Sequence, residues 1–157
     1  MQADITFLDE AQTQNFATAL KTVLNAGDCV FLSGDLGAGK STFARAYIQA
    51  LMAEEQVLED VPSPSFTLIQ TYEFSKFDVH HVDLYRLEQA DVYELGLDDS
   101  REGAVLLIEW PDRLHGAIKP TLEIEFTIES DNKRGMRATW QDQKFTPVIE
   151  RFRNDAG

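Results

Sequence analysis

One cysteine, Cys29, is all that this 157-residue chain contains, so an internal disulfide is excluded. A domain of this length needs no such crosslink, because it buries about two thirds of its unfolded surface. Cys29 begins the apolar run 29–32. We therefore predict a small buried side chain and not a reactive thiol, which requires an accessible, electropositive environment. Residues 1–157 are expected to form a single domain.

Long apolar runs and basic residues are scarce as well. The densest apolar run, residues 104–108, is far shorter than the ~20 residues that span a bilayer. The N-terminus has neither the basic nor the apolar segment of a signal peptide. We expect a cytoplasmic protein without membrane contact. Lys and Arg number 14 against 27 Asp and Glu, a net charge of −13, which disfavours direct binding to a nucleic-acid backbone.

The apolar patterning predicts both strands and helices. Residues 29–32 and 104–108 are typical of strands buried on both faces of a parallel sheet. Residues 122–128 alternate between apolar and polar, which predicts a half-exposed strand paired with residues 136–140. Residues 66–74 and 79–84 are predicted to form a hairpin, and residues 4–8 an edge strand.

Four helices are predicted around these strands. Asp9 is a suitable N-cap for the first, which carries Phe16, Leu20 and Leu24 on one face and ends before Gly27. The other three are expected over residues 41–52, 89–95 and 145–152.

Residues 34–41 read Gly-Asp-Leu-Gly-Ala-Gly-Lys-Ser and fit the phosphate-loop pattern G-x-x-x-x-G-K-[ST]. Glycines allow the backbone to point several N–H groups into one concavity, and the following helix presents its N-terminus to an anion. Lys40 would reach the β- and γ-phosphates, and the Ser41 hydroxyl would ligate Mg²⁺. The loop lies between an apolar strand and an amphipathic helix, which is the context that the pattern requires. The sequence therefore predicts binding of ATP with Mg²⁺.

The fold class that follows is α/β. We expect a P-loop NTPase-like mixed sheet with a parallel core and antiparallel additions, flanked by helices.

Two carboxylates are candidates for the metal or the attacking water. Glu109 directly follows the apolar run 104–108, where a core strand emerges, and Asp83 follows His81 and Val82. Each could instead be an ordinary surface carboxylate. His81 and Asp83 together could also suggest a structural metal site, although two ligands make a weak signal.

These motifs together resemble the TsaE family, the small ATPase subunits of the bacterial machinery that makes N6-threonylcarbamoyladenosine in tRNA. Beyond the phosphate loop, the resemblance is carried by Ser-Pro-Ser-Phe-Thr-Leu at 63–68, His-Val-Asp-Leu-Tyr-Arg-Leu at 81–87, Glu-Leu-Gly-Leu at 94–97 and Ile-Glu-Trp-Pro at 108–111. Order and spacing agree over residues 5 to 130. After residue 131 the match is loose, because Arg-Gly-Met-Arg stands at 134–137 where relatives have a Gly-Arg pair.

The resemblance implies a role for each matching residue. The phosphates would be wrapped by Gly37, Ala38, Gly39, Lys40, Ser41 and Thr42. Ser41, Glu109 and Asp83 would hold or support the metal, and Asp83, Glu109 and Lys40 would act in catalysis. Ser65 would sense the γ-phosphate, and Trp110 would line the nucleotide site or a partner surface. Thr13 would lie near the adenine.

The resemblance also implies a function: ATP hydrolysis in complex with the TsaB and TsaD proteins, with tRNA contacted only indirectly. Two other interpretations fit a P-loop protein of this size. A small-molecule kinase usually places its phosphate loop after the first strand and uses an arginine-bearing lid. A non-catalytic nucleotide sensor would not need both Asp83 and Glu109 beside a triphosphate.

Overall fold

The computed structural model describes residues 1–87 and 93–156. The helix predicted for residues 89–95 falls mostly outside the described residues; its last three, 93–95, form a turn of 3-10 helix before Gly96. Within the described ranges, no helix has both the length and the apolar character to cross a bilayer.

A seven-stranded mixed sheet organises the described part of the chain. Its strands are β1 (Gln2–Phe7), β2 (Cys29–Ser33), β3 (Ile69–Glu73), β4 (Asp78–Asp83), β5 (Ala104–Glu109), β6 (Leu122–Ile128) and β7 (Arg134–Trp140). Their order is β1-β7-β6-β2-β5-β4-β3. The four central strands, β6, β2, β5 and β4, pair in parallel. β7 and β1 extend one side antiparallel, and β3 extends the other. The predicted fold class is confirmed.

Side chains of the core strands alternate between two apolar layers. In β2, Val30 and Leu32 face a large cluster, whereas Cys29 faces a smaller one on the opposite side of the sheet. β5 does the same and is buried at all six positions. Both strands therefore need a continuous apolar run, because both of their faces are buried.

Helices cover the large cluster. They are α1 (Glu10–Leu20), α2 (Lys40–Glu54) and α4 (Thr146–Ala156), while the short α3 (Leu97–Ser100) lies with the smaller cluster. Asp9 caps α1 as predicted, accepting the Gln12 N–H at 3.0 Å. Phe16 joins α1 to α2 in the core, since its ring centroid lies 6.0 Å from that of Phe43.

Several predicted boundaries are wrong. β1 and β7 each begin two residues earlier than predicted, and α4 continues to Ala156. Two further differences have a clear structural cause. α1 ends at Leu20, because the following residues form a turn in which the Val23 N–H donates to the Leu20 carbonyl at 3.1 Å; Leu24 reaches the core from that turn. β3 begins at Ile69 and not at Phe66. The backbone of Leu68 is left-handed (φ +67°), and its N–H donates to the Pro64 carbonyl at 2.8 Å, which leaves Phe66 82% exposed in a loop.

Candidate functional site

The phosphate loop joins the end of β2 to the start of α2, at the edge of the sheet where the parallel core strands end. Gly34 has φ +131°, and a Cβ added there would overlap the carbonyl oxygen of Phe126 in β6. The loop can therefore cross β6 closely only because residue 34 is glycine. Gly39 precedes α2 with φ +121°, and no side chain caps the helix. The N–H groups of the first turn are thus available to an anion.

Lys40 is held in the mouth of this loop. Its ammonium donates to the carbonyl of Gly34 and, at 3.0 Å, to that of Asp35. It also lies 4.0 Å from the ring centroid of Trp110. Burial lowers the pKa of Lys40, and the nearby carboxylates of Glu109, Asp83 and Asp35 oppose that shift. The side chain therefore lies between the loop carbonyls and the ring of Trp110, which directly follows β5.

Ser41 and Glu109 meet directly, as the predicted metal set requires. The Ser41 hydroxyl donates to Glu109 Oε1 at 3.1 Å and lies 3.4 Å from Oε2. Glu109 is the last residue of β5 and only 2% exposed, so its carboxylate is fixed by the sheet. His81 Nε2 lies 2.7 Å from Glu109 Oε2.

Asp83 ends the neighbouring strand β4 and is in register with Glu109. Its Oδ2 accepts the Ser65 hydroxyl at 3.2 Å, and its Oδ1 accepts the Tyr85 N–H at 3.0 Å. Ser65 in turn lies 2.8 Å from the hydroxyl of Ser63. The Ser-Pro-Ser-Phe loop is therefore attached to the site through Asp83.

Trp110 follows Glu109 and closes the site from the side of β5. Its backbone is left-handed (φ 60°, ψ 53°), which turns the chain directly after the strand. Its ring stands 5.0 Å from that of Tyr85, measured between centroids. Trp110 thus lies between Lys40 and Tyr85 and connects the phosphate loop to β4.

One cavity of about 240 Å³ collects most of the predicted residues. One wall is the phosphate loop and first turn of α2, with Gly37, Gly39, Lys40, Ser41 and Thr42; the other is Ser65, Asp83, Glu109 and Trp110. Ala38 does not line it, because its side chain is buried in the core and its N–H donates to the Asp35 carbonyl at 3.1 Å.

Thr13 lies outside this cavity. It is buried at the edge of a second cavity of about 400 Å³, on the other side of the loop. The two cavities share Gly37, Gly39 and Thr42, and Arg134 lines the second. The placement separates the carboxylates from Thr13 across the phosphate loop.

The residues present suit a magnesium triphosphate. A hydroxyl and one or two carboxylates are a usual protein contribution to Mg²⁺, which takes its other oxygens from phosphate and water. No cluster of three or more His, Cys, Asp or Glu side chains that could cage a metal occurs in the part of the chain that the structure describes. The separate structural metal site considered for His81 and Asp83 therefore has no third ligand there.

The contact between His81 and Glu109 was not predicted from the sequence. Nor were the positions of Ser63 and Tyr85 in the site. His81 and Asp83 are two positions apart on one strand, which places both on the same face. That spacing was a visible signal for His81. The contacts of Ser63 and Tyr85 depend on how the loops fold and have no comparable pattern in the sequence.

Comparison with known proteins adds a family match. The family described as threonylcarbamoyl adenosine biosynthesis protein TsaE matches residues 7–138. A protein of Rickettsia bellii named tRNA threonylcarbamoyladenosine biosynthesis protein TsaE is 39% identical over 127 residues, covering 80% of this chain and 86% of the relative. The protein of that name from Rickettsia felis is 38% identical over 128 residues, with coverages of 80% and 73%.

Among solved structures, the crystal structure of Bacillus subtilis YdiB has a TM-score of 0.75 to this chain at 25% identity, and the match covers 100% of this chain and 97% of YdiB. The phosphate loop, Asp83 and Glu109 all lie inside the matched range 7–138.

Proposed function

The chain belongs to the TsaE family of threonylcarbamoyl adenosine biosynthesis proteins, and on that premise we propose that it is an ATP-hydrolysing subunit acting in threonylcarbamoyl modification of adenosine in tRNA. The observation that carries the proposal is the convergence of the phosphate loop with Glu109 and Asp83 in one cavity. A nucleotide sensor has no need for two carboxylates at strand ends facing the phosphate loop.

Different residues of the site bind the phosphates and the metal. Lys40 neutralises the β- and γ-phosphates, and the N–H groups of the loop and of the first turn of α2 bind their oxygens. Bound Mg²⁺ would supply Lewis-acid stabilisation of the phosphoryl oxygens. Ser41 and Glu109, already in contact at 3.1 Å, would hold it.

Asp83 orients the attacking water, and its contact with Ser65 makes that loop responsive to the terminal phosphate. The hydroxyl of Ser65 exchanges Asp83 for a phosphate oxygen when ATP is bound. After hydrolysis the terminal phosphate leaves with its oxygens, and the Ser65 hydroxyl returns to Asp83. The loop 63–68 would then present a different surface in the two nucleotide states.

Partners complete the proposed function. We expect this chain to act with the TsaB and TsaD proteins, which would contact tRNA while this chain supplies ATP hydrolysis. A small-molecule kinase is less well supported, because no arginine lines the cavity of about 240 Å³ in the described residues.

The test is genetic. The gene is deleted, complemented with wild type, Lys40→Ala or the control Lys21→Ala, and threonylcarbamoyladenosine in total tRNA is measured by mass spectrometry. Lys21 pairs with Glu54 on the surface at 2.9 Å, away from the loop. We expect wild type and Lys21→Ala to restore the modification and Lys40→Ala to fail. Full modification in the deletion strain, or full rescue by Lys40→Ala, would overturn the proposal.

A further inference from the structure

A buried histidine stands behind the carboxylate of Glu109. His81 is 1% exposed, lies in β4 two residues before Asp83, and has its Nε2 atom 2.7 Å from Glu109 Oε2. Both partners are enclosed, so water does not compete for the contact. The two carboxylate oxygens of Glu109 therefore have different neighbours: His81 contacts Oε2, and the Ser41 hydroxyl is nearer Oε1.

The surroundings of the imidazole fix its tautomer. His81 Nδ1 is buried and has no hydrogen-bond partner among the described residues. A proton on Nδ1 would be a buried donor without an acceptor, which is costly, whereas a proton on Nε2 is accepted by the carboxylate. The arrangement thus favours a proton on Nε2, which donates to Glu109 Oε2.

We infer that His81 is a positioning residue for the metal site: by donating Nε2–H to Glu109 Oε2 it holds Oε1 toward Ser41 and toward the Mg²⁺ expected there. This assignment rests on the proposed function. Groups that donate a hydrogen bond to a ligating carboxylate orient it in this way and are commonly needed for full metal affinity. A histidine required only for packing would have no reason to leave one ring nitrogen unpartnered while the other meets the carboxylate.

Three variants separate donation from packing. His81→Leu keeps an apolar side chain in the position but removes the donor. His81→Gln places an amide nitrogen near the position of Nε2 and keeps the donor. His80→Leu is the matched control, because His80 is adjacent on the opposite face of β4, with its Nδ1 2.9 Å from Thr71 Oγ1.

The measurement is ADP affinity by calorimetry over a series of Mg²⁺ concentrations and in EDTA, using the full chain with thermal unfolding as a folding check. We expect the Mg²⁺ concentration for half-maximal effect to rise by about 10–100-fold in His81→Leu. Affinity in EDTA should not change, and His81→Gln should recover most of the Mg²⁺ response. His80→Leu should behave as wild type.

The outcomes are distinguishable. A folded His81→Leu protein with the wild-type Mg²⁺ response overturns the assignment, as does a folded His81→Gln protein as impaired as His81→Leu. A wild-type protein without any Mg²⁺-dependent nucleotide binding overturns the proposed function itself, and the assignment with it.

A measurement on unmodified protein covers the case in which the variants do not fold. The chain has three histidines, so ¹⁵N-detected spectra of the wild type can be assigned ring by ring. We expect the imidazole of His81 to carry a proton on Nε2. A spectrum in which Nδ1 of His81 is protonated and Nε2 is not would contradict the assignment, because Nε2 could then not donate to Glu109.

Discussion

Single side chains at the mouth of the phosphate loop are expected to have separable roles in nucleotide binding and in hydrolysis. Lys40 is held against two loop carbonyls and above Trp110, so its ammonium is close to its expected position before a nucleotide arrives. Glu109 and Asp83 are instead fixed by the ends of two neighbouring strands. The first residue is expected to affect affinity and the other two to affect turnover.

Lys40→Ala should weaken ATP-analogue binding strongly. Charge-assisted hydrogen bonds contribute about 1.5–3 kcal/mol each, and about 1.4 kcal/mol corresponds to a tenfold change. We expect a loss of affinity of at least about tenfold by calorimetry and no measurable hydrolysis, with Lys21→Ala unaffected. Wild-type affinity and turnover in Lys40→Ala would show that residues 34–41 do not bind phosphate.

Asp83→Asn should affect turnover far more than binding. The substitution preserves volume and removes the carboxylate that we propose orients the attacking water, a loss commonly worth about 10²–10⁴-fold in rate. ADP affinity should change little. Asp78→Asn, at the opposite end of β4, is the matched control, and phosphate release is the readout. Normal release by Asp83→Asn would make Asp83 a bystander.

Cys29 should resist modification in the folded protein. Burial raises the pKa of its thiol to about 12, so that at pH 8 only about one molecule in 10⁴ carries the reactive thiolate. We expect an aromatic disulfide reagent to label no thiol in the native protein and one thiol per chain in guanidinium. Rapid stoichiometric labelling of native protein would show that Cys29 is accessible.

At the scale of elements, the close crossing of the phosphate loop over β6 makes Gly34 the position most sensitive to an added methyl group. Gly34→Ala combines a left-handed backbone with an overlap against the Phe126 carbonyl. We expect destabilisation of about 2–4 kcal/mol by thermal or denaturant unfolding, with loss of the nucleotide-induced stability increase.

Gly103→Ala provides the comparison. An added Cβ there meets nothing within 4 Å, and its backbone is not left-handed. Its unfolding and nucleotide response should match wild type. Equal stability of the two variants would mean that the loop is free to move away from β6.

Elements whose structure depends on a pattern within their own residues were predicted well. Elements that depend on contacts with other parts of the chain were predicted less well. β2, β5 and β6 were predicted within a residue or so, because burial on both faces or on one face imposes a distinctive pattern. The end of α1 was predicted too late. Leu24 is apolar because it packs in the core, but it does so from a turn and not from the helix. Phe66 likewise suggested a strand, whereas the Leu68–Pro64 hydrogen bond makes that stretch a loop.

The site followed the same rule. Lys40, Ser41, Asp83 and Glu109 were identifiable because each stands at a fixed place in a motif or at a strand end. Their meeting in one cavity depends on strand order, and so does the contact of His81 with Glu109. The sequence of β4 alone does not indicate which strand lies beside it. The spacing of His81 and Asp83 therefore predicted that they share a face of β4, but not that Glu109 of β5 lies next to them.

At the scale of the whole molecule, the net charge and the proposed ATP hydrolysis both lead us to expect that partners are needed. A chain with net charge −13 gains little Coulomb attraction to tRNA, because such binding relies on Lys and Arg neutralising phosphates. In a filter-binding experiment at physiological salt, we expect no measurable binding of tRNA by the isolated chain. Tight binding under those conditions would contradict the assignment of tRNA contact to other subunits.

We also expect slow hydrolysis by the isolated chain. The Ser65 hydroxyl donates to Asp83, and Ser63 and Phe66 are exposed in the loop beside them, so this face of the loop is open to a partner surface. Partner-supplied arginines raise hydrolysis by about 10³–10⁵-fold in other P-loop proteins. We expect a smaller stimulation when TsaB and TsaD are added, because ordering of the loop by their surface supplies no new charge. Phosphate release is measured for the chain alone, with both proteins, and with tRNA added, using Lys40→Ala at each step to subtract contaminating activity. Full activity of the chain alone would show that the loop needs no partner to reach its catalytic position.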